Sequence, residues 1–437
     1  MSKASVSPTS STPPPPPGLP QLSSHWTQGP IGKGLLGGAT GVVWAITIAV
    51  VLAMASSLVT GAAYSPHVTG WFAGGAALGA AYGATDLDRV SITQRRWLFI
   101  FATPLVLLSF SGFKPLGLGF GQSALGFLIT LAMGSAAFVI AVQRCLAPFA
   151  TGPLNRFRRE QSLMLTLRGF GLVFFGFVVL LPLYVMVMSS LTTQQALYQN
   201  PLDLWPDFSQ GLLAPFQAYS DIWVEFNFGK YIWNSTLVSV TTVVLTLLFA
   251  IPGAYAVSRL DFPGKVGLSR SILAIYLVPV IVLVVPLYVV FGQLGLRGSL
   301  LGLMVVYPAT TLPVALYMLQ GYFRGLPAEL EEAGLMDGCS RIRVIWEITM
   351  PLALPALASV ALYVFMIAWN EFLFAFMFLD GPSTFTLPKA VKSLNSSEIS
   401  RQNLMAGAVI STVPIVVVFL AAERLMVNGL TSGGVKG

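Results

Sequence analysis

Ten apolar runs constrain this chain more than any other feature. They lie at about 34–58, 68–84, 97–113, 122–145, 168–191, 232–258, 268–292, 299–321, 352–379 and 404–424. Several exceed the ~18 residues a helix needs to cross a hydrocarbon core. Lipid offers no partner to backbone amides, so each run must satisfy its own hydrogen bonds, as a helix does. The alternating polarity of a membrane β-strand is not seen. Charged residues make up 9% of the chain and the mean hydropathy is +0.76, whereas a water-soluble domain carries about 25% charge. The expected fold class is an all-α membrane protein.

Charge sets the expected topology. With the N-terminus in the cytoplasm, 18 of the 24 Lys and Arg fall on inner loops or tails and six on outer loops. Basic residues concentrate on the cytoplasmic side, so an even span number and two cytoplasmic termini are expected. The net charge of +7 then reports topology and not a nucleic-acid partner. Cys145 and Cys339 fall on the expected cytoplasmic side, where a disulfide is not expected. His25 and His67 are far apart, and no metal-ligand cluster is evident.

Four parts follow along the chain. Residues 1–30, with five prolines from Pro13 to Pro17, read as a disordered cytoplasmic tail and not as a secretory signal. Residues 31–147 form a four-helix module rich in glycines at four-residue spacing, including Gly37 with Gly41 and Gly75 with Gly79, a spacing that lets helices approach closely in lipid. Residues 148–167 read as a basic cytoplasmic linker or surface helix. Residues 168–437 hold six spans, with no repeated pair of broken helices; Pro279 and Pro286 in the seventh mark a hinge or a bend, and a plain kink is expected. Two substantial outer loops, from Thr192 to about Tyr231 and from Asp380 to Asn403, could touch a soluble partner.

The informative stretch is the loop between spans eight and nine, GYFRGLPAELEEAGLMDGCSRIRVIWEITMPLALPAL, from Gly321 to Leu357. Pro327 suits the first turn of a helix. Glu329, Glu331 and Glu332 follow, where carboxylates meet the positive end of the helix dipole. Leu330, Ala333 and Gly334 share one face at three- and four-residue spacing. Gly338 can end that helix, and Ser340 can cap a second one carrying Ile342, Ile345 and Trp346 on one face. Pro351 and Pro355 mark the return into the membrane. Two short helices at an angle make a docking element; a plain chain reversal needs less.

This loop resembles the "EAA" signature of binding-protein-dependent ABC importer permeases. Glu332-Ala333-Gly334, Asp337-Gly338 and Ile348-Thr349-Met350-Pro351 stand at the signature's spacing, with Gly334 for its second alanine and Met350 for its leucine. Ala368-Trp369-Asn370-Glu371-Phe372, Arg259 to Gly264 (RLDFPG), Val285 to Tyr288 (VPLY) and the tail Gly429 to Gly437 resemble segments of maltose-type, MalG-like permeases. The resemblance covers roughly residues 168–437. It implies a type I ABC importer permease core of six transmembrane helices, preceded here by about four extra ones.

The resemblance also implies roles and partners. Glu331, Glu332, Ala333, Gly334, Asp337, Gly338, Ile348 and Pro351 would form the coupling element that docks on an ATP-binding subunit dimer. Gly433, Gly434 and Lys436 would reach the same ATPases. ATP and Mg would belong to those subunits; the chain has no G-x-x-x-x-G-K-[ST] phosphate loop, and no cofactor or catalytic residue is expected here. A MalF-like second permease, an extracytoplasmic sugar-binding protein, a sugar such as maltose or maltodextrin, and the bacterial inner membrane complete the expectation. Trp369, Asn370 and Glu371 carry two readings. They line a sugar pathway, with the indole stacked on a ring, or they are a structural patch bonded to a neighbouring helix. The alternative function is an ion-coupled secondary transporter or channel, suggested by Glu371 within a span and by Pro279 and Pro286. A membrane-embedded enzyme would need clustered acids, bases or metal ligands that the spans do not offer.

Overall fold

The computed structural model describes residues 29–84, 92–111, 116, 124–149, 154–206, 208 and 211–433. Nearly all of the expected tail at 1–30 lies outside these residues. The described chain is helical, with no strand among the described residues. Seven of its helices are long and apolar enough to cross a membrane. The remaining expected spans correspond to a 17-residue helix at Val68–Ala84, a helix whose apolar part is Phe99–Phe110, and a helix pair described below.

The contacts divide the chain into two units, residues 1–184 with 197–205, and residues 185–196 with 206–437. In the first, helices α1 (Pro30–Thr60) and α2 (Val68–Ala84) run antiparallel. Proline at the first position of α1 wastes no hydrogen bond. The two helices meet glycine to glycine: a Cβ on Gly79 would lie 2.8 Å from Gly41 Cα, and one on Gly75 would lie 2.8 Å from Gly41 O. The four-residue glycine spacing is therefore a backbone contact, where dispersion replaces the hydrophobic driving force that lipid cannot supply. Helices α3 (Ile92–Phe110) and α4 (Ala124–Leu146) complete the group. The Trp44 indole donates to Cys145 Sγ at 3.3 Å, and Ser162 Oγ donates to the Cys145 carbonyl at 2.7 Å.

Ser162 belongs to α5 (Arg156–Leu191), which is unbroken. Most of the expected linker is thus the first three turns of a spanning helix. No glycine or proline interrupts it until Gly169 and Gly171, and an Arg156–Glu160 pair supports its start at 2.8 Å. The short helix α6 (Gln194–Gln199) follows. Just beyond it, Asn200 Nδ2 donates to the Gly61 carbonyl at 2.8 Å, so residues 197–205 close on the end of α1.

In the second unit, α7 (Gln217–Val224) leads into α8 (Phe228–Arg259). Helix α8 runs beside α11 (Leu300–Gly325), joined by a Thr246–Thr311 hydroxyl pair at 2.8 Å and by Ser258 Oγ donating to Gln320 O at 3.3 Å. Both finish at what we call the arginine end, which carries Arg259 and Arg324. Helix α14 (Met350–Asn370) returns from that end and packs on α8, α11 and α17 (Arg401–Gly433).

Two spans are interrupted, the seventh where a kink is expected and the ninth where none is. The seventh is split into α9 (Lys265–Tyr276) and α10 (Val280–Gln293), because Pro279 has no N–H to continue the ladder. The ninth is split after Asn370 into α14 and α15 (Leu373–Phe378). Here Glu371 replaces the missing backbone acceptors. Its Oε1 accepts from the Phe374 amide at 3.0 Å and its Oε2 from the Ala375 amide at 3.2 Å. The break was hidden in the sequence because no glycine or proline marks it.

Replacing Gly79 by leucine is expected to force α1 and α2 apart at a cost of roughly 1–3 kcal/mol or more, as overpacking does. The thermal midpoint of the detergent-solubilised protein measures it. Gly171→Ala, where nothing lies within 4 Å of the added Cβ, is expected to leave that midpoint unchanged or slightly raised, since alanine favours a helix interior.

Candidate functional site: a bent helix pair at the arginine end

The segment after α11 folds into α12 (Ala328–Met336) and α13 (Arg341–Val344), followed by a π-helical turn over Ile345–Thr349 that runs into α14. Pro327 precedes α12 in extended geometry and its helix begins one residue later. Gly338 sits at φ +86°, the left-handed region that costs a side chain about 1–2 kcal/mol. The Cys339 amide closes the turn on the Gly334 carbonyl at 3.0 Å. Ser340 Oγ accepts from the Arg343 amide at 3.4 Å, the cap expected from its position. The π turn lies just before Pro351, whose ring would crowd the carbonyl four residues back. The wider turn makes room for that ring.

Gly334 is where the two helices touch. A Cβ there would lie 2.6 Å from Ile348 Cδ1 and 3.2 Å from Val344 Cγ2. Two residues of the signature, Gly334 and Ile348, are thus packed on each other. The flat face expected from Leu330, Ala333 and Gly334 is divided: Gly334 is buried, while Leu330 and Ala333 are exposed. Neighbours on a helix differ by about 100° in direction, so Gly334 and Ala333 cannot share one target.

The two adjacent glutamates also part company. Glu332 is exposed, and Glu331 is buried. Glu331 Oε2 accepts from Tyr255 Oη at 2.9 Å, and Oε1 accepts from Thr349 Oγ1 at 3.0 Å. Arg259 Nε lies 3.4 Å from Oε1, with the two side chains 12% and 10% exposed. Arg259 Nη2 also donates to the Leu326 carbonyl at 2.6 Å. Breaking a buried pair of this kind by removing one partner typically costs about 3–5 kcal/mol. Sequence reasoning grouped Glu331 with Glu332 and did not mark Tyr255 or Thr349. The signal available was the RLDFPG segment, which places Arg259 at the end of α8.

The outward side of the pair mixes exposed charges, among them Glu329, Arg341, Arg343 and Glu347, with four large apolar side chains. Leu330 is 45% exposed, Met336 88%, Ile342 71% and Trp346 66%. Glu332, Asp337 and Gly338 are exposed beside them, Ile348 is half-buried, and Pro351 is exposed at the start of α14. Four large apolar side chains standing out of one rigid, bent element are suited to burial against another protein.

At the opposite end, Trp369 is 2% exposed, its Nε1 donates to the Ser411 carbonyl at 3.1 Å, and its ring stacks on Phe365 at 5.5 Å. Glu371 is engaged as the cap described above. Asn370 is exposed and borders a cleft of about 470 Å³ lined also by Phe372, Lys392, Asn395 and Thr412. Nearby, Lys389 donates to the carbonyls of Phe376 and Leu379, and burial lowers its pKa from the usual lysine value. Gly433 ends α17, while Gly434 and Lys436 lie outside the described residues. No group of three or more His, Cys, Asp or Glu able to hold a metal occurs among the described residues.

Comparison with known proteins places this geometry. Residues 243–431 match the model of the binding-protein-dependent transport system inner membrane component family. The chain is 38% identical over 271 residues to the inner membrane ABC transporter permease protein YcjP of Escherichia coli K12, covering 95% of that protein and 61% of this one. The chain belongs to this family. It is also similar to the trehalose/maltose transport system permease protein MalG of Thermococcus litoralis, 33% identical over 99% of that protein and 64% of this one. The trehalose transport system permease protein SugB of Mycobacterium tuberculosis is 36% identical over 82% of its length and 51% of this chain. A solved bacterial ABC transporter that imports the acidic polysaccharide alginate shares the fold, with a TM-score of 0.51 and 23% identity over 62% of this chain and 98% of that one. Membership makes the chain a multi-pass inner-membrane transport subunit. The family match contains the whole α12–α13 element. The first two relatives are covered almost completely and still leave more than a third of this chain unmatched.

Gly334→Val is expected to lift α12 off Ile348. Cys339, half-buried beside it, should then react with a maleimide several-fold faster, while buried Cys145 stays unlabelled.

Proposed function

We propose that this chain is one of two membrane subunits of an ATP-driven sugar importer, with maltose or a maltodextrin as substrate. The observation that carries the reading is the exposed apolar row Leu330, Met336, Ile342 and Trp346 on a bent helix pair whose inward side is locked by Glu331 and Gly334. A surface so held can receive force from a partner without deforming. The partner is an ATP-binding subunit dimer carrying ATP and Mg. Glu332, Ala333, Asp337 and Gly338 lie at its surface, and the tail at Gly433, Gly434 and Lys436 reaches the same subunits. This puts the arginine end and both termini in the cytoplasm, as the distribution of basic residues favours.

One chain has one such element, so a second, MalF-like permease supplies the other. An extracytoplasmic sugar-binding protein delivers the substrate at the opposite end, near the Asp380–Asn403 segment. Two relatives are named for trehalose or maltose transport, which supports a disaccharide-sized substrate. Within the pathway, Asn370 meets the sugar, with Trp369 and Glu371 shaping the break that presents it. The module of α1–α4 adds membrane-embedded surface to the complex.

The test is purification by a tag on this chain, followed by reconstituted uptake. An ATP-hydrolysing subunit is expected to copurify, and Gly338→Arg should insert normally yet lower ATP-driven uptake at least tenfold. Uptake that needs no such subunit and collapses with an uncoupler would instead identify an ion-coupled carrier. For the substrate, Asn370→Ala is expected to raise the sugar concentration at half-maximal uptake several-fold while ATP hydrolysis persists.

A further inference from the structure

The exposed half of the bent pair explains how a partner could hold it, but not how its movement would enter the membrane. Helix α12 has no helical continuity with α8. Three helices, α9, α10 and α11, separate them in the chain. It joins α14 only through the turn at Asp337–Ser340 and the short α13. Each of those turns could flex and absorb a displacement.

Glu331 bridges α12, the end of α8 and the root of α14 at once. Its one carboxylate sits on α12 and accepts from Tyr255 on α8 and from Thr349 at the root of α14, with Arg259 at the end of α8 as its counter-charge. Arg259 reaches onward to the carbonyl of Leu326, in the segment that enters α12. Helix α12 is therefore fastened to the end of α8 at two points and to α14 at a third. The Gly334–Ile348 contact, one turn along the same face, keeps α12 from rolling. Sliding any of these elements separately would strip a buried carboxylate or guanidinium of its partners, which a low-polarity site penalises heavily. Displacing them together costs none of that.

We infer that Glu331 is a positioning residue for energy coupling: it makes α12, the end of α8 and the root of α14 move as one body, so that force received by the coupling element reaches the helices of the pathway. This rests on the importer reading above. Glu331 faces into the protein, whereas its neighbour Glu332 is exposed.

The test uses the complete transporter purified by a tag on this chain, with uptake and ATP hydrolysis measured on one preparation. Glu331→Gln keeps the shape and removes the charge. It is expected to assemble, to keep ATP hydrolysis within about twofold, and to consume at least tenfold more ATP per solute moved. Tyr255→Phe combined with Thr349→Val keeps the ion pair and removes only the two hydroxyl bonds; it should shift the same ratio in the same direction by a few-fold. An unchanged ratio in both variants overturns the inference. So does a parallel loss of subunit assembly, hydrolysis and uptake, which a merely structural residue would give. If the wild-type chain brings down no ATP-hydrolysing subunit, the importer reading falls first. If Gly338→Arg abolishes uptake while Glu331→Gln couples normally, only the inference about Glu331 falls.

Discussion

Every backbone amide and carbonyl inside a bilayer must find a partner within the protein. The second unit shows this constraint being met around the break after Asn370. Glu371 supplies acceptors to the first free amides of α15. Lys389 donates to the carbonyls of Phe376 and Leu379 at its other end. Asn234 on α8 donates to the carbonyls of Ser383 and Phe385, and Ser235 accepts from the Leu387 amide at the start of the short helix Leu387–Ser393. A carboxylate within a span costs on the order of 2.5–3.5 kcal/mol on insertion scales. Charge-assisted bonds to two amides at a helix start offset that cost. The polar residues near the break are thus explained by the break, and the break in turn leaves Asn370 exposed at the edge of a cleft.

Close packing in the absence of a hydrophobic drive sets the rest. Helices α1 and α2 meet through glycine faces, and the hydroxyl pair Thr246–Thr311 joins α8 to α11. The same device recurs at the arginine end, where Gly334 lets α12 lie against Val344 and Ile348. A signature that looks like a string of independent contacts therefore contains its own internal joint. Part of it faces outward, and part holds the outward part in place.

That division bears on how such an element works. A docking surface that bends under load transmits nothing. Here the exposed apolar side chains stand on a frame whose inward side is a buried carboxylate, a guanidinium, two hydroxyls and a glycine contact, drawn from α8, α12 and the turn at the root of α14. In the proposed coupling, the direction of force follows from which helices share Glu331, namely α8, α12 and the root of α14.

Much of this was legible in the sequence. The length and polarity of the apolar runs determined that the chain is helical and spans a membrane, since lipid leaves no other economical way to satisfy the backbone. The spacing of Glu332, Gly338 and Pro351 located the bent pair, because proline, glycine and serine act through local backbone geometry. Local periodicity could not tell Glu331 from Glu332, two identical side chains one residue apart. It could not show that α5 begins within the expected linker, or that the ninth span breaks after Asn370 with no glycine or proline to mark it. The burial of Glu331 depends on groups far apart in the chain, Tyr255 and Arg259, and the start of α5 is held through Ser162 on Cys145. Only the packed structure decides which polar group a buried charge will meet, because that partner is chosen by proximity in space and not by distance along the chain.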